Sequence, residues 1–278
     1  MARRGGIVVG MFRMTRVAPG DAPDLAGRDP GSHLGLADKK SAQEQLPELV
    51  AEIGKLHARL SAEATRSTLL ILQGFDASGK DGTIRSVLTG IDPQGCRVVS
   101  FKEPTTTDLA HDYLWRIHAE CPARGEIGIF NRSHYEDIVT VRARKLAPPA
   151  VWKRRPAQVN AFEQLLTAEG TAIVKVFLHV SKDEQRRRLQ ERIDDPEKGW
   201  KLRRSDLEDH ARYDRLLALY EETIEATSTD WAPWHIVPAD HNWVRNTVVA
   251  GLLVDVLRGL DPQLPPRPPE LADAALDG

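Results

Sequence analysis

The amino-acid sequence predicts an α/β fold in which a parallel five-stranded sheet is flanked by helices and carries an inserted helical lid. Three observations predict it. Short apolar runs alternate with stretches of helical periodicity, a glycine-rich loop joins the first run directly to a helix, and an Arg- and Glu-rich stretch interrupts the alternation. At 278 residues, with 41% hydrophobic and 28% charged residues, the chain can bury a core as one domain.

In chain order, residues 1–36 mix Arg, Gly, Pro and Asp without periodicity and read as a disordered tail. Between Lys39 and Ala64, Leu46, Leu49, Ile53, Leu56 and Leu60 recur at spacings of three and four, the mark of an amphipathic helix. Pro47 falls in its first turns or marks its start. Strands are expected at 68–73, 97–101, 126–130, 172–178 and 234–237, each followed by a helix. Residues 181–230 read as an inserted hairpin of two helices separated by residues 194–200, within a domain spanning 37–260. Residues 261–278 carry five prolines and read as a second tail.

The first strand runs into residues 74–83, GFDASGKDGT, which is G-x-x-x-x-G-K between a strand and a helix. In that setting Gly74, Ala77, Ser78 and Gly79 turn backbone N–H groups around a phosphate, the helix N-terminus adds its dipole, and Lys80 brings a mobile charge. The competing reading is a glycine-rich turn with a solvated lysine. Asp81 follows Lys80 where such loops usually place the Ser or Thr that holds magnesium. Asp76, inside the loop, would repel phosphates unless a divalent cation lay between them, so it is assigned to Mg2+, with Mn2+ as the substitute. Its plainer reading is an acid offsetting the helix dipole.

Ligands of open parallel sheets bind at the carboxyl ends of the strands. After the second strand come Lys102 and Glu103, and after the third come Asn131, Arg132, His134, Glu136 and Asp137. Arg132 can fork two donors onto phosphate oxygens, and Glu136 and Asp137 can take Mg2+ directly or through water. The alternative is a surface ion-pair cluster. His134 reads as a structural or exposed histidine and not a base, because phosphoryl transfer depends chiefly on positioning and charge. In the insertion, Gln185, Arg188 and Arg192 share one helical face, flanked by Arg186 and Arg187, and Lys198, Lys201, Arg203 and Arg204 follow. Such a run is either a solvated helix laced with ion pairs or a basic lid over phosphates.

The formal net charge of -2 leaves anion binding to local clusters of the 38 Lys and Arg. Cys96 and Cys121 have no second Cys or His at ligand spacing, which argues against zinc and disulfides and fits a reducing, cytoplasmic location. No stretch reads as a signal peptide or membrane span.

These residues resemble the P-loop polyphosphate kinases, the second of the two polyphosphate kinase families, over about residues 40–260. The resemblance rests on GFDASGKDGTI at 74–84, FKEPT at 101–105, FNRSHYEDI at 130–138, the Arg- and Lys-bearing run at 184–201, and APWHIVPADHNWVRN at 232–246. It implies a thymidylate-kinase-like core, inorganic polyphosphate and nucleotides as substrates, and a homo-oligomer that takes neither nucleic acid nor membrane as partner. It further implies that Gly74, Ala77, Ser78, Gly79, Lys80, Asp81, Arg188, Arg192, Lys198 and Lys201 contact phosphates. Lys102, Glu103, Asn131, Arg132 and Glu136 would contact the nucleotide, Asp76 and Asp137 the metal, and Asp76, Lys80, Arg132 and Asp137 are the catalytic set. Asn131 stands where one subgroup has Asp, so the chain is most similar to the subgroup acting on both nucleoside mono- and diphosphates. The rival activities are an ATP-dependent nucleoside monophosphate kinase and a non-catalytic nucleic-acid-binding module. Asp81 weighs against the first, and the scarcity of aromatics beside Trp200 against the second.

Overall fold

The computed structural model describes residues 13–269. Its strands are β1 (Arg16–Val17), β2 (Ser67–Gln73), β3 (Cys96–Ser100), β4 (Ile127–Asn131), β5 (Thr171–His179) and β6 (Trp234–Pro238). They form one sheet in the order β1-β6-β5-β2-β4-β3. The five expected strands are all present and mutually parallel, and β1 adds an antiparallel edge that pairs Arg16 with His235. β2 is buried along its whole length, as a central parallel strand covered on both faces must be, which is why it reads as an unbroken apolar run.

The helices are α1 (Lys39–Glu63), α2 (Lys80–Leu88), α3 (Thr106–Leu109), α4 (Trp115–His118), α5 (Glu136–Ala143), α6 (Pro149–Trp152), α7 (Arg155–Ala168), α8 (Lys182–Asp194), α9 (Arg204–Ala211), α10 (Tyr213–Thr227) and α11 (Asn242–Leu260). α1 starts where the Asp38 carboxylate accepts from Ser41 N at 2.7 Å, so Pro47 lies inside the helix, and it stops at Ala64 in the left-handed region. Its buried stripe of Leu49, Ile53 and Leu60 packs against α11, which also contacts α2 and β5. α5, α7 and α10 pack together as a second group, with α7 on β5. Among the described residues no helix is long and apolar enough to cross a membrane.

Two expectations are corrected. Residues 13–36 are not a loose tail: Thr15 Oγ1 hydrogen-bonds His235 Nδ1 at 3.0 Å, β1 joins the sheet, and Leu25 and Leu36 are buried. Val17, Leu25 and Leu36 enter the core far apart along the chain, so no strand or helix period links them. Residues 1–12 and 270–278 lie outside the described residues, and 261–269 form no strand or α-helix. The insertion is also smaller than a two-helix unit ending at 230. α10 buries Tyr213, Leu216, Leu219, Tyr220 and Ile224 and belongs to the core layer, which leaves α8, the 3-10 turn Gly199–Lys201 and α9 as the lid.

Candidate active site

The chain leaves β2 and enters α2 through residues 74–79, with φ of 145° at Gly74, 64° at Ala77 and 98° at Gly79. A Cβ on Gly74 would come 2.8 Å from the Leu178 carbonyl oxygen, so its neighbour requires glycine, and Gly79 is required by its φ, with a Cβ there falling 2.0 Å from Arg245 Nη1. Ala77 holds a left-handed conformation that costs about 1–3 kcal/mol, and its carbonyl is fixed by Arg188 Nη1 at 2.9 Å. Lys80, only 8% exposed, folds back over the loop and donates to the carbonyls of Gly74 at 2.8 Å and Phe75 at 2.9 Å. Burial and the nearby Arg132 push its pKa down to about 8.

β4 lies beside β2 with Leu72 opposite Asn131, so the segment after β4 is delivered to the loop after β2. Arg132 turns there at φ 64°, its N–H bonded to the Leu72 carbonyl at 3.0 Å. Its guanidinium spans the carboxylates of Asp76 and Glu136, the latter at 3.1 Å. Glu136 and Asp76 outweigh burial and raise the Arg132 pKa. Burial opposes ionisation of Asp76, yet Arg132 and Lys80 hold its carboxyl below the usual range. Asn131 Nδ2 donates to Asp81 Oδ1 at 2.6 Å. Asp76, Lys80, Asn131, Arg132 and Glu136 thus form one constellation.

Asp137 is positioned differently. It is buried between Arg116 at 3.4 Å and Arg155 at 3.7 Å, and burial pushes its pKa up despite both arginines. Arg116 also donates to the Lys102 carbonyl at 2.9 Å, which ties the exposed stretch holding Lys102 and Glu103 to this side. The carboxylates whose fields reach Asp76 include Asp206 and Asp209 of α9, with Asp206 pushed up by burial and by Asp76. Among the described residues no group of three or more Asp, Glu, His or Cys could hold a metal on its own.

Beneath the segment after β4 is a network the sequence reading missed. Lys175 Nζ donates to Glu163 Oε2 at 2.6 Å, to Tyr135 Oη at 3.0 Å and to the Thr227 carbonyl at 2.6 Å, while Tyr135 and His134 engage Glu163 Oε1. All four side chains are buried. Burial lowers the Lys175 pKa against the pull of Glu163, and Glu163 stays below its usual value because Lys175 and His134 outweigh burial. His134 is buried in this network and not exposed. The available signal was Lys175 itself, a charge inside an otherwise apolar strand.

The lid closes from the other side. Gln185 and Arg188 share the face predicted for them: Gln185 Nε2 donates to the Asp76 carbonyl at 3.1 Å and its Oε1 meets His210 at 2.8 Å. Arg188 is fully engaged, by Glu184, Ala77, Ala239 and Asp240. Arg192 reaches Asp206 at 3.5 Å, and Lys198 pairs with Asp195 at 2.8 Å. The side chain of Lys201 lies outside the described residues. Between α8, the phosphate loop and the start of α11 opens a cleft of about 530 Å³ lined by Ala77 and Gly79 and by six basic and three acidic side chains. Lys39 and Arg245 are among the basic ones, and neither was singled out by sequence.

The family model described as Polyphosphate kinase 2 matches residues 36–265. The chain belongs to the polyphosphate kinase 2 family. It is 48% identical over 256 residues to an AMP/ADP-polyphosphate phosphotransferase of Meiothermus ruber, covering 92% of each chain. It is 40% identical to an ADP-polyphosphate phosphotransferase of Rhodopseudomonas palustris, covering 91% of this chain and 92% of that one. The crystal structure of Polyphosphate Kinase 2 from Arthrobacter aurescens superposes with a TM-score of 0.89 at 41% identity, covering 96% of this chain and 94% of the other. As in other members of the polyphosphate kinase 2 family, the sheet and loop described here are those of a P-loop kinase.

Proposed function

We propose that this chain is a polyphosphate:nucleotide phosphotransferase that moves a phosphate between inorganic polyphosphate and ADP or AMP. The observation that carries the reading is continuity: Ala77 and Gly79 belong to the phosphate loop and also line the basic cleft under α8. A phosphate seated in the loop can therefore continue as a chain along a row of cations, where each anionic group finds a positive partner. The names of both relatives pair polyphosphate with ADP, and one of them also with AMP.

The acceptor nucleotide is placed on the opposite side, toward Asn131, Arg132, Glu136 and the Arg116–Asp137 pair. With both substrates held in line, Lys80 leaves its two carbonyl partners for the equatorial oxygens of the transferring group, and Arg132 stabilises the same charge. No side chain need form a covalent intermediate. Asp76, kept ionised by Arg132 and Lys80, would hold a hard cation through its carboxylate, so Mg2+ or Mn2+ is proposed there. When bound, the cation would neutralise charge on the phosphates. Asp137, held by two arginines, is proposed to orient the acceptor side and not to ligate the metal directly.

The test compares donors. Long-chain polyphosphate and ATP are each offered with AMP, ADP, GMP and GDP, and products are resolved by chromatography. Polyphosphate should sustain formation of ADP from AMP and ATP from ADP. Phosphorylation of AMP by ATP alone would make the protein a nucleoside monophosphate kinase instead.

A further inference from the structure

Arg245, near the start of α11, is 5% exposed and lies against the back of the phosphate loop. Nε donates to Thr83 Oγ1 at 2.7 Å and to Asn246 Oδ1 at 3.2 Å, and Nη1 donates to the Ser78 carbonyl at 3.3 Å. The guanidinium sits where side chains on Gly79 and Gly82 would otherwise be: added Cβ atoms would lie 2.0 Å from Nη1 and 3.3 Å from Nη2. Among the described residues it has no carboxylate partner, and Nη2 makes no hydrogen bond. Burial and the neighbouring Arg188 push its pKa down to about 10. Yet it lines the basic cleft.

A guanidinium taken out of water without a counter-anion is unfavourable, and buried charges are ordinarily paired. Here the missing anion has an evident source, because the cleft that Arg245 lines is the one assigned to the donor. Its contact with Ser78 has a second consequence. The peptide joining Ser78 to Gly79 is planar and trans, so drawing its carbonyl toward Arg245 turns the Gly79 N–H to the opposite side, fixing one donor of the loop.

We propose that Arg245 is a positioning residue of the phosphate loop and that bound polyphosphate is the counter-anion its guanidinium lacks within the protein. The inference rests on the donor reading given above, and the parent protein's own saturation by polyphosphate tests that reading separately. Arg245 acts by holding Ser78 and Thr83 in the conformation that receives phosphate, and by lending its charge to the cleft.

Two variants test it, Arg245→Met and Arg245→Lys, each compared with the parent in thermal melting of the free protein, polyphosphate KM, ADP KM and kcat. Methionine fills the same space without charge, so the free protein should melt within a few degrees of the parent or above it. Its polyphosphate KM should rise and its kcat fall about tenfold each, with ADP KM unchanged within about twofold. Lysine restores charge but not the fork, so it should recover the donor KM and leave kcat low. The proposal is overturned if the Met variant keeps parental donor KM and kcat, or if KM for both substrates and kcat worsen together with a lowered melting temperature. Should the Met variant fail to fold, the Lys variant decides alone: parental kcat overturns the positioning role, and a low kcat with a parental donor KM supports it.

Discussion

Asn131 at the end of β4 and Asp81 in the first turn of α2 meet through a 2.6 Å hydrogen bond from Nδ2 to Oδ1. Each departs from the commoner pattern when read alone, and together they are one feature. An aspartate at 131 would set two carboxylates face to face, whereas the amide donates to the charge that Asp81 introduces. Asn131→Asp should therefore cost about 1 kcal/mol at pH 8, discounted for the exposure of Asp81. Adding Asp81→Asn should restore the pair with its roles exchanged. Chemical unfolding of the two singles and the double forms the cycle, and additive effects would show that the residues act independently.

Lys80 should titrate within the working range. Its protonated form binds phosphate, and with a free-protein pKa of about 8 that form declines as pH rises through this value. kcat/KM for polyphosphate should fall above pH ~8, since this ratio reports the free enzyme. Lys80→Arg should move the falling limb to higher pH, and Lys80→Ala should lower the rate about 10²- to 10³-fold without unfolding the protein. A profile flat to pH 10 would remove Lys80 from this role.

The two lid arginines should separate. Arg188 joins α8 to the phosphate loop and to residues 239 and 240, so Arg188→Ala should cost about 1–3 kcal/mol of stability along with activity. Arg192, whose ion-pair partner among the described residues is Asp206 at 3.5 Å, is freer to meet the donor. Arg192→Ala should change stability by less than about 1 kcal/mol while raising polyphosphate KM, and added salt should weaken donor binding less steeply than in the parent. Melting curves and initial rates at several salt concentrations distinguish the two. Equal effects of both substitutions on stability would contradict the assignment.

Acid should destabilise the protein through two buried histidines. Burial lowers the pKa of His179 from 6.5 to about 4, with Asp240 opposing, and that of His235 to about 3, with Arg16 adding to the effect. Both stay neutral in the folded protein while the unfolded chain protonates near 6.5. Their contribution is fully present above pH ~6.5 and is lost as pH falls, ending for His179 near pH 4 after a loss on the order of 3 kcal/mol. Urea midpoints at pH 7.5, 6 and 5 would follow this, and His179→Gln should flatten the slope by about one proton. An unchanged slope in that variant would assign the acid sensitivity elsewhere.

Much of the molecule was legible because it is encoded locally. Five strands, the loop at 74–79 and the face of α8 bearing Gln185 and Arg188 follow from the period of apolar residues, the glycines and the helical repeat, all short-range properties of the chain. The family could be read from the same segments through their resemblance to its motifs, while phosphate chemistry by itself accounts for the loop. β1, Leu25 and Leu36 left no periodic trace, because single residues plugged into a core have no local pattern. The partners of the charges were equally hidden. A guanidinium can pair with any carboxylate that the fold brings near, and strand order put Arg132 beside Asp76, while Glu136 is its neighbour four residues on. The same holds for Lys175 on Glu163, Asp137 between Arg116 and Arg155, and Arg245 behind Gly79. Sequence by itself determined the five parallel strands, the phosphate loop and what class of chemistry they serve. Only the tertiary structure decided which charges neutralise one another and which are left to face the substrate, because electrostatic partners are selected by distance and burial across the packed sheet, not by separation along the chain.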